Sequence, residues 1–94
     1  MLAKMNEELF TKEVIEASGV VLVLFKTDTC PYCRIMEPLL EGLAEQFKDQ
    51  IKVVSVNAFE QNTLVDVYGI QAVPRVLFFR NGDVIDSIIG ARGK

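Results

Sequence analysis

The sequence predicts a single α/β domain in which a mixed sheet of four to five strands carries helices on both faces. Residues 20–25 form a continuous apolar run rich in β-branched side chains, and residues 51–56 are predicted as a second buried strand. Such runs are typical of strands buried on both sides of a mainly parallel sheet. Helical patterns alternate with these strands, and a β-hairpin follows them. One domain, residues 1–94, accounts for the whole length.

The N-terminal part of the chain predicts a short strand, a helix and a buried strand. A weak strand is expected within residues 1–5. Asn6 can cap a helix over residues 7–18, which Gly19 would end. The apolar run 20–25 follows directly and is the first strand of the sheet interior.

The middle of the chain predicts two more helices. Apolar side chains recur at helical spacing from the cysteines to about Lys48, and Pro38 inside this long helix should kink it. After the strand 51–56, a short helix fits residues 60–68 and is closed by Gly69. Residues 76–79 and 84–89 then flank Asn81-Gly82, which is a strong signal for a two-residue hairpin turn.

The composition excludes several functional classes. Ten basic and thirteen acidic residues give a net charge of −3, which disfavours nucleic acid as a partner. The absence of histidine excludes histidine-based catalysis and histidine-containing metal sites. No apolar run approaches the roughly 20 residues that a membrane span requires. The N-terminal residues lack the apolar core of a secretory signal, so we expect a cytoplasmic location and no membrane association.

Two cysteines, Cys30 and Cys33, are the most informative residues. A structural disulfide between them would close a very small loop and would stabilise the fold little. A zinc site needs four ligands, so these two thiolates would require carboxylates or a second chain. Thiol–disulfide exchange is the third interpretation, and the Cys-x-x-Cys spacing favours it. We therefore expect no metal.

The segment Cys30-Pro31-Tyr32-Cys33 joins a buried strand to the start of the long helix. Free N–H groups and the positive end of the helix dipole stabilise a thiolate at this position. Cys30 is the predicted nucleophile, and Cys33 is expected to resolve the mixed disulfide by forming the Cys30–Cys33 bond. This redox-active pair is the only cofactor expected. Pro31 suits the first helical turn, and Tyr32 either packs locally or contacts substrate.

Further motifs follow the cysteines in a fixed order. Pro38 lies five residues after Cys33, and the later motifs are Tyr68-Gly69-Ile70, Val73-Pro74, Phe78-Phe79, Asn81-Gly82 and Gly90-Ala91. In this order and spacing, residues 20–91 resemble the thioredoxin superfamily. The resemblance implies a three-layer, thioredoxin-like sandwich and a thiol–disulfide oxidoreductase.

The resemblance also implies roles for individual residues. Pro74 is expected in a cis peptide bond that packs against the cysteines, and the backbone of Val73 is expected to pair with the substrate as an added strand. With Pro31 and Tyr32, these residues form the predicted substrate-binding set. Disulfide-containing proteins are the implied substrates, and a thioredoxin reductase or glutathione is the implied electron donor.

Several positions depart from the thioredoxin pattern. Pro31-Tyr32 is similar to the glutaredoxin dipeptide, but Gly90-Ala91-Arg92 replaces the Gly-Gly-x-Asp-like element with which glutaredoxins hold glutathione. Leu24 stands where thioredoxins keep a buried aspartate that assists proton transfer at the second cysteine, and Ser55 stands where its lysine partner lies. We therefore expect slower resolution than in ordinary thioredoxins, and faster turnover in a Leu24→Asp variant.

Charged side chains near the cysteines allow two interpretations. Lys26 and Arg75 are predicted at the active-site surface, one on each side. There they either favour a thiolate and acidic substrates or are simply solvated. Glu37, Glu41 and Glu45 recur on the predicted outer face of the long helix. A solvated face explains them, so no carboxylate chemistry is assigned.

The sequence lacks the helix that follows the last strand in thioredoxins. Without that helix, several apolar side chains of the last strand have too few partners: Val84, Ile85, Ile88 and Ile89. We therefore expect either that a second copy of the chain or a partner protein covers this face, or that the chain is only marginally stable.

The predicted function is the reduction of protein disulfides. Two alternatives remain: a glutathione-dependent, glutaredoxin-like reductase, and a thioredoxin-fold interaction module whose cysteine pair is incidental. Regeneration by glutathione would indicate the first alternative. Function retained after Cys30→Ser would indicate the second.

Overall fold

The computed structural model describes residues 2–89 as a five-stranded mixed sheet with helices on both faces. The strands are β1 (Ala3–Lys4), β2 (Val20–Lys26), β3 (Ile51–Asn57), β4 (Arg75–Arg80) and β5 (Asp83–Ile89). The helices are α1 (Glu7–Phe10), which continues as a π-helical segment (Thr11–Ile15), α2 (Pro31–Gln46) and α3 (Asn62–Val67). The predicted α/β sandwich is confirmed. Met1 and the Gly90-Ala91-Arg92 motif lie outside the described residues.

The strand order in the sheet is β1-β3-β2-β4-β5. β2 and β3 are parallel, with Lys26 opposite Asn57 at their C-terminal ends. β4 runs antiparallel to β2, so its first residue, Arg75, lies opposite Phe25. β1 pairs with β3 at the edge, which confirms the weak N-terminal strand. The topology therefore brings the ends of β2 and β3 and the start of β4 to one edge of the sheet.

The N-terminal helix is shorter than predicted. Asn6 caps α1 as expected, because its side-chain oxygen accepts the backbone N–H three residues later (2.8 Å). Helical structure ends at Ile15, three residues before the predicted end. The Glu16 N–H donates to the Thr11 carbonyl (2.9 Å), which makes the last turn wider than an α-helical turn. The chain then reaches β2 through Gly19, whose φ is 79°.

The two faces of the sheet have separate apolar cores. The α1/α3 face, covered by α1, the π-helical segment and α3, includes an aromatic cluster. The rings of Phe10, Tyr68 and Phe79 contact one another with centroid separations of 5.4–5.7 Å. The α2 face has a smaller cluster of aliphatic side chains: Leu2, Leu22, Leu24, Leu40, Val53 and Val76.

The hairpin between β4 and β5 forms as predicted. Asn81 and Gly82 have φ values of 52° and 84°, the positive values that a two-residue hairpin turn requires. Every residue of β5 is exposed, including the four apolar residues expected to lack partners: Val84, Ile85, Ile88 and Ile89. The covering second copy or partner protein stays a prediction.

The long helix α2 begins at Pro31 and contains Pro38, as the sequence indicates. It ends at Gln46, two residues earlier than expected. Leu40 packs on the sheet, whereas Ile35 and Leu39 are exposed. None of the helices in residues 2–89 is both long enough and apolar enough to cross a membrane.

Candidate functional site

The two cysteines lie where β2 passes into α2. Cys30 is the N-cap residue of α2, and Pro31 is its first helical residue. The Cys30 Sγ accepts a hydrogen bond from the backbone N–H of Cys33 (3.1 Å). Cys30 therefore occupies the capping position that an Asp or Ser side chain often takes, and its sulfur faces the free N–H groups of the helix.

The two sulfurs differ in access to solvent. Both cysteines are free thiols; Cys30 is partly exposed, whereas Cys33 is only 2% exposed. Burial, reinforced by the hydrogen bond with the Cys30 side chain, raises the pKa of the Cys33 thiol to about 12. A backbone hydrogen bond from Thr27 and the positive charge of Lys26 act in the opposite direction. Cys33 is thus a thiol that ionises with difficulty.

Lys26 is not a surface residue, which corrects the sequence-based interpretation. Its Nζ lies 2.7 Å from Glu37 Oε1, and the two side chains are 9% and 13% exposed. The backbone N–H of Leu2 donates to the other carboxylate oxygen of Glu37 (3.3 Å). Glu37 therefore lies against the sheet rather than on a solvated face, because helix α2 places its carboxylate next to the end of β2.

Of the other charged residues, Glu45 is on a solvated face as expected, whereas Glu41 and Arg75 are partly buried. Arg75 lies opposite Phe25 on the α1/α3 face, so it is on the other side of the sheet from Lys26. The Arg75 Nε is buried with no hydrogen-bond partner among the described residues. Within residues 2–89, no cluster of cysteine or carboxylate side chains is arranged to hold a metal ion, and the absence of a metal stays a prediction.

The Val73–Pro74 peptide bond is cis, as the resemblance implies. Pro74 is fully buried, while Val73 is partly exposed and precedes β4. Val73 lines a groove beside the turn that leads to the cysteines. The other lining residues are Thr27, Ala58, Phe59, Ile70, Gln71 and Ala72. The structure therefore brings Val73 and the start of the active-site turn together.

Pro31 and Tyr32 are exposed and do not line this groove. Tyr32 is 56% exposed, so packing does not account for its position. Phe59, which is not part of any predicted motif, is 73% exposed at the groove. Its backbone N–H donates to the Asn57 side chain (2.9 Å). The position of Phe59 just after β3 could have indicated that it lines the groove, because neighbouring parallel strands end at the same edge of the sheet.

Comparisons with known proteins agree with the geometry. The family model described as Thioredoxin matches residues 1–94. Thioredoxin 1 of Synechococcus elongatus is 37% identical over 89 residues, which cover 95% of this chain and 83% of the relative. Thioredoxin of Rickettsia felis is 31% identical over 94 residues, covering 100% of this chain and 90% of the relative.

A third relative carries a location in its name. Thioredoxin M-type, chloroplastic, of Chlamydomonas reinhardtii is 36% identical over 86 residues, covering 92% of this chain and 61% of the relative. The glutaredoxin-like alternative is not favoured, because the family model and these relatives are thioredoxins. With the Cys-x-x-Cys pair at the start of α2, they show a thiol–disulfide oxidoreductase that acts on disulfide-containing proteins, and the chain belongs to the thioredoxin family.

Proposed function

We propose that this protein reduces protein disulfides in two steps, with Cys30 as the attacking residue and Cys33 as the resolving residue. This assignment rests on the difference in solvent exposure between the two cysteines, because Cys30 is partly exposed and Cys33 is only 2% exposed. The Cys33 N–H that donates to Cys30 Sγ also stabilises negative charge on the attacking sulfur.

The two steps balance without any further cofactor. The Cys30 thiolate attacks one substrate sulfur, and the other substrate sulfur leaves as a thiolate that takes up a proton. Cys33 then loses its proton and attacks Cys30 Sγ, which releases the second substrate thiol and leaves the Cys30–Cys33 disulfide. Two electrons pass to the substrate, and an external reductant must return them.

We further propose that the substrate lies along Val73 and the groove beside it. Val73 precedes the buried Pro74 and is partly exposed at the edge where the cysteines lie, so its backbone is suited to pair with an extended segment. The apolar side chains of Phe59 and Ile70 line the groove and favour an apolar substrate side chain. Pro31 and Tyr32 supply exposed surface next to Cys30.

We propose a thioredoxin reductase rather than glutathione as the electron donor. The thioredoxin family model over residues 1–94 supports this choice. A cytoplasmic location also stays a proposal. The proposed location and the proposed reducing direction are consistent with each other, because cytosolic thiols are kept reduced. Cell fractionation with a specific antibody tests it, and recovery in a plastid or periplasmic fraction would contradict it.

Reduction of insulin disulfides tests the proposed function. The protein is assayed once with NADPH and thioredoxin reductase, and once with glutathione, glutathione reductase and NADPH. We expect rapid turnover with the first system and little with the second. In Cys30→Ser, turnover should fall to the background without protein. Turnover that survives this substitution would contradict the role of Cys30 and favour the interaction-module alternative.

A further inference from the structure

The buried ion pair between Lys26 and Glu37 is not explained by stability alone. Removing two charges from water is costly, and a well-packed apolar pair of similar volume often stabilises a fold as much or more. Yet the Lys26 Nζ and Glu37 Oε1 lie 2.7 Å apart with side chains only 9% and 13% exposed. The backbone N–H of Leu2 also orients the Glu37 carboxylate. Such a pair suggests a role for the fixed charge.

The pair lies on the same side of the sheet as the α2 helix that carries Cys33. Lys26 follows Leu22 and Leu24 at alternate positions of β2, so its side chain lies on the α2 face. Glu37 is four residues after Cys33, which puts both on one face of α2. Helix α2 therefore places the Cys33 thiol and the Glu37 carboxylate near the same end of β2.

Cys33 has to ionise in surroundings that oppose ionisation. Its thiol must lose a proton before it attacks Cys30 Sγ, and burial is the largest cause that raises the pKa of this thiol. Leu24, the buried residue two positions before Lys26, carries no charge. The positive charge of Lys26 lowers the pKa of Cys33. A cation held near a buried sulfur makes the thiolate less costly.

We propose that Lys26, held in place by Glu37, is a positioning residue that stabilises the Cys33 thiolate during resolution of the mixed disulfide. The inference rests on the proposed function, in which Cys33 is the resolving thiol. The proton of Cys33 goes to solvent, the Cys33–Cys30 bond forms, and the bond between Cys30 and the substrate sulfur breaks. Lys26 takes no part in bond making or breaking and acts only through its positive charge.

The other ionisable groups around Cys33 are uncharged in the mixed disulfide, exposed, or on the opposite face of the sheet. Cys30 faces it from the cap of α2, but in the mixed disulfide Cys30 carries no charge. Asp28 in the turn is exposed, and Arg75 of β4 lies on the α1/α3 face. From β3, the residue beside Lys26 is the neutral Asn57. The buried ion pair of Lys26 on β2 and Glu37 on α2 therefore provides the fixed charge that can influence Cys33 during resolution.

Stopped-flow reaction of the reduced protein with one equivalent of 5,5′-dithiobis(2-nitrobenzoate) separates the two steps. Attack by Cys30 releases the first thionitrobenzoate, and resolution by Cys33 releases the second. We expect Lys26→Met to slow the second phase about tenfold at pH 7, as a one-unit rise in the pKa of Cys33 would do, and to leave the first phase unchanged. The inflection of the second-phase rate against pH should move upward.

Three further variants keep the test independent of folding. Lys26→Arg keeps the charge and should retain most of the second-phase rate. The matched control is Lys52→Met, because the Lys52–Glu13 pair has the same 2.7 Å separation but is 42% and 46% exposed, and lies away from the cysteines. It should change neither phase. Glu37→Gln should slow the second phase, since it leaves Lys26 without its partner.

The outcomes separate this inference from the proposed function. An unchanged second phase in Lys26→Met, or equal slowing of both phases, would overturn the role of Lys26. Equal loss in Lys26→Arg and Lys26→Met would also overturn it, because the charge would then be irrelevant. Release of thionitrobenzoate by Cys30→Ser at the wild-type rate would instead contradict the assignment of Cys30, which is the basis of the proposed function.

Discussion

The α1/α3 face and the α2 face of the sheet are both buried, but their contents differ. The α1/α3 face contains the aromatic contacts among Phe10, Tyr68 and Phe79. The α2 face has a smaller aliphatic cluster, and its end near the cysteines contains the Lys26–Glu37 ion pair. Large apolar side chains stabilise a fold, whereas a buried ion pair contributes little. The comparison indicates that stability depends mainly on one face and chemistry on the other.

Truncation of the aromatic cluster should have the largest effect on stability. Phe79 is fully buried, and its ring contacts both Phe10 and Tyr68. We expect Phe79→Ala to lower the free energy of unfolding by about 3–5 kcal/mol, the usual cost of removing a buried phenylalanine ring. Urea unfolding measures this loss. The rate at which Cys30 attacks a disulfide, measured in buffer where the variant stays folded, should change little.

A matched control for this prediction is Leu39→Ala, a truncation of an exposed residue on α2. It should change the free energy of unfolding by no more than about 0.5 kcal/mol. If Phe79→Ala instead unfolded at the same urea concentration as the wild type, the assignment of stability to the α1/α3 face would be wrong.

The raised pKa of Cys33 on helix α2 should make the free energy of unfolding depend on pH. The pKa of Cys33 is raised from its ordinary value of 9.0 to about 12, so the folded protein binds the proton more tightly than the unfolded chain. The resulting stabilisation is fully present below pH 9 and is lost as the pH rises toward 12. For the reduced protein, we expect the free energy of unfolding to fall by about 1–2 kcal/mol between pH 8 and pH 10.5.

Cys33→Ser serves as the reference for that measurement, because it removes the titrating thiol and keeps the other ionisable groups. The difference in unfolding free energy between the reduced wild type and this variant should shrink as the pH rises. A difference that stays constant from pH 8 to pH 10.5 would show that Cys33 does not titrate with a raised pKa.

The smallest effect is expected at β5, which belongs to neither buried cluster. Ile85 is 53% exposed, and Ile85→Thr keeps the β-branched shape that suits a strand. If a partner protein rather than a second copy covers β5, the free energy of unfolding of the purified protein should change by no more than about 0.5 kcal/mol at every protein concentration. A loss above 2 kcal/mol that depends on concentration would indicate that a second copy covers β5 in solution.

Much of the fold could be predicted from local patterns. β2 contains the continuous apolar run 20–25, and valine and isoleucine dominate β3. Asn81-Gly82 has a strong turn preference, and asparagine, the residue at position 6, is a preferred residue type at helix N-caps. The π-helical segment, Thr11–Ile15, could not be predicted, because nothing in its sequence distinguishes a wide helical turn from an α-helical one. The position of Cys30 at the start of α2 could be predicted from the Cys-x-x-Cys spacing and its place between a strand and a helix.

The Lys26–Glu37 pair could not be predicted, for a physical reason. Glu37, Glu41 and Glu45 share a four-residue spacing that is typical of a solvated helix face. Whether that face is solvated depends on how α2 is rotated on the sheet, and packing of residues such as Leu40 decides this rotation. Eleven residues separate Lys26 from Glu37, so no local pattern links them.

The central claim is that Cys30 attacks and Cys33 resolves. The most direct test incubates the single variants Cys30→Ser and Cys33→Ser with a protein that contains one disulfide, followed by mass spectrometry under non-reducing conditions. We predict that Cys33→Ser accumulates a mixed disulfide through Cys30, because its resolving thiol is missing, and that Cys30→Ser forms none. A mixed disulfide through Cys33 in the Cys30→Ser variant, formed as fast as that of Cys33→Ser, would contradict the account.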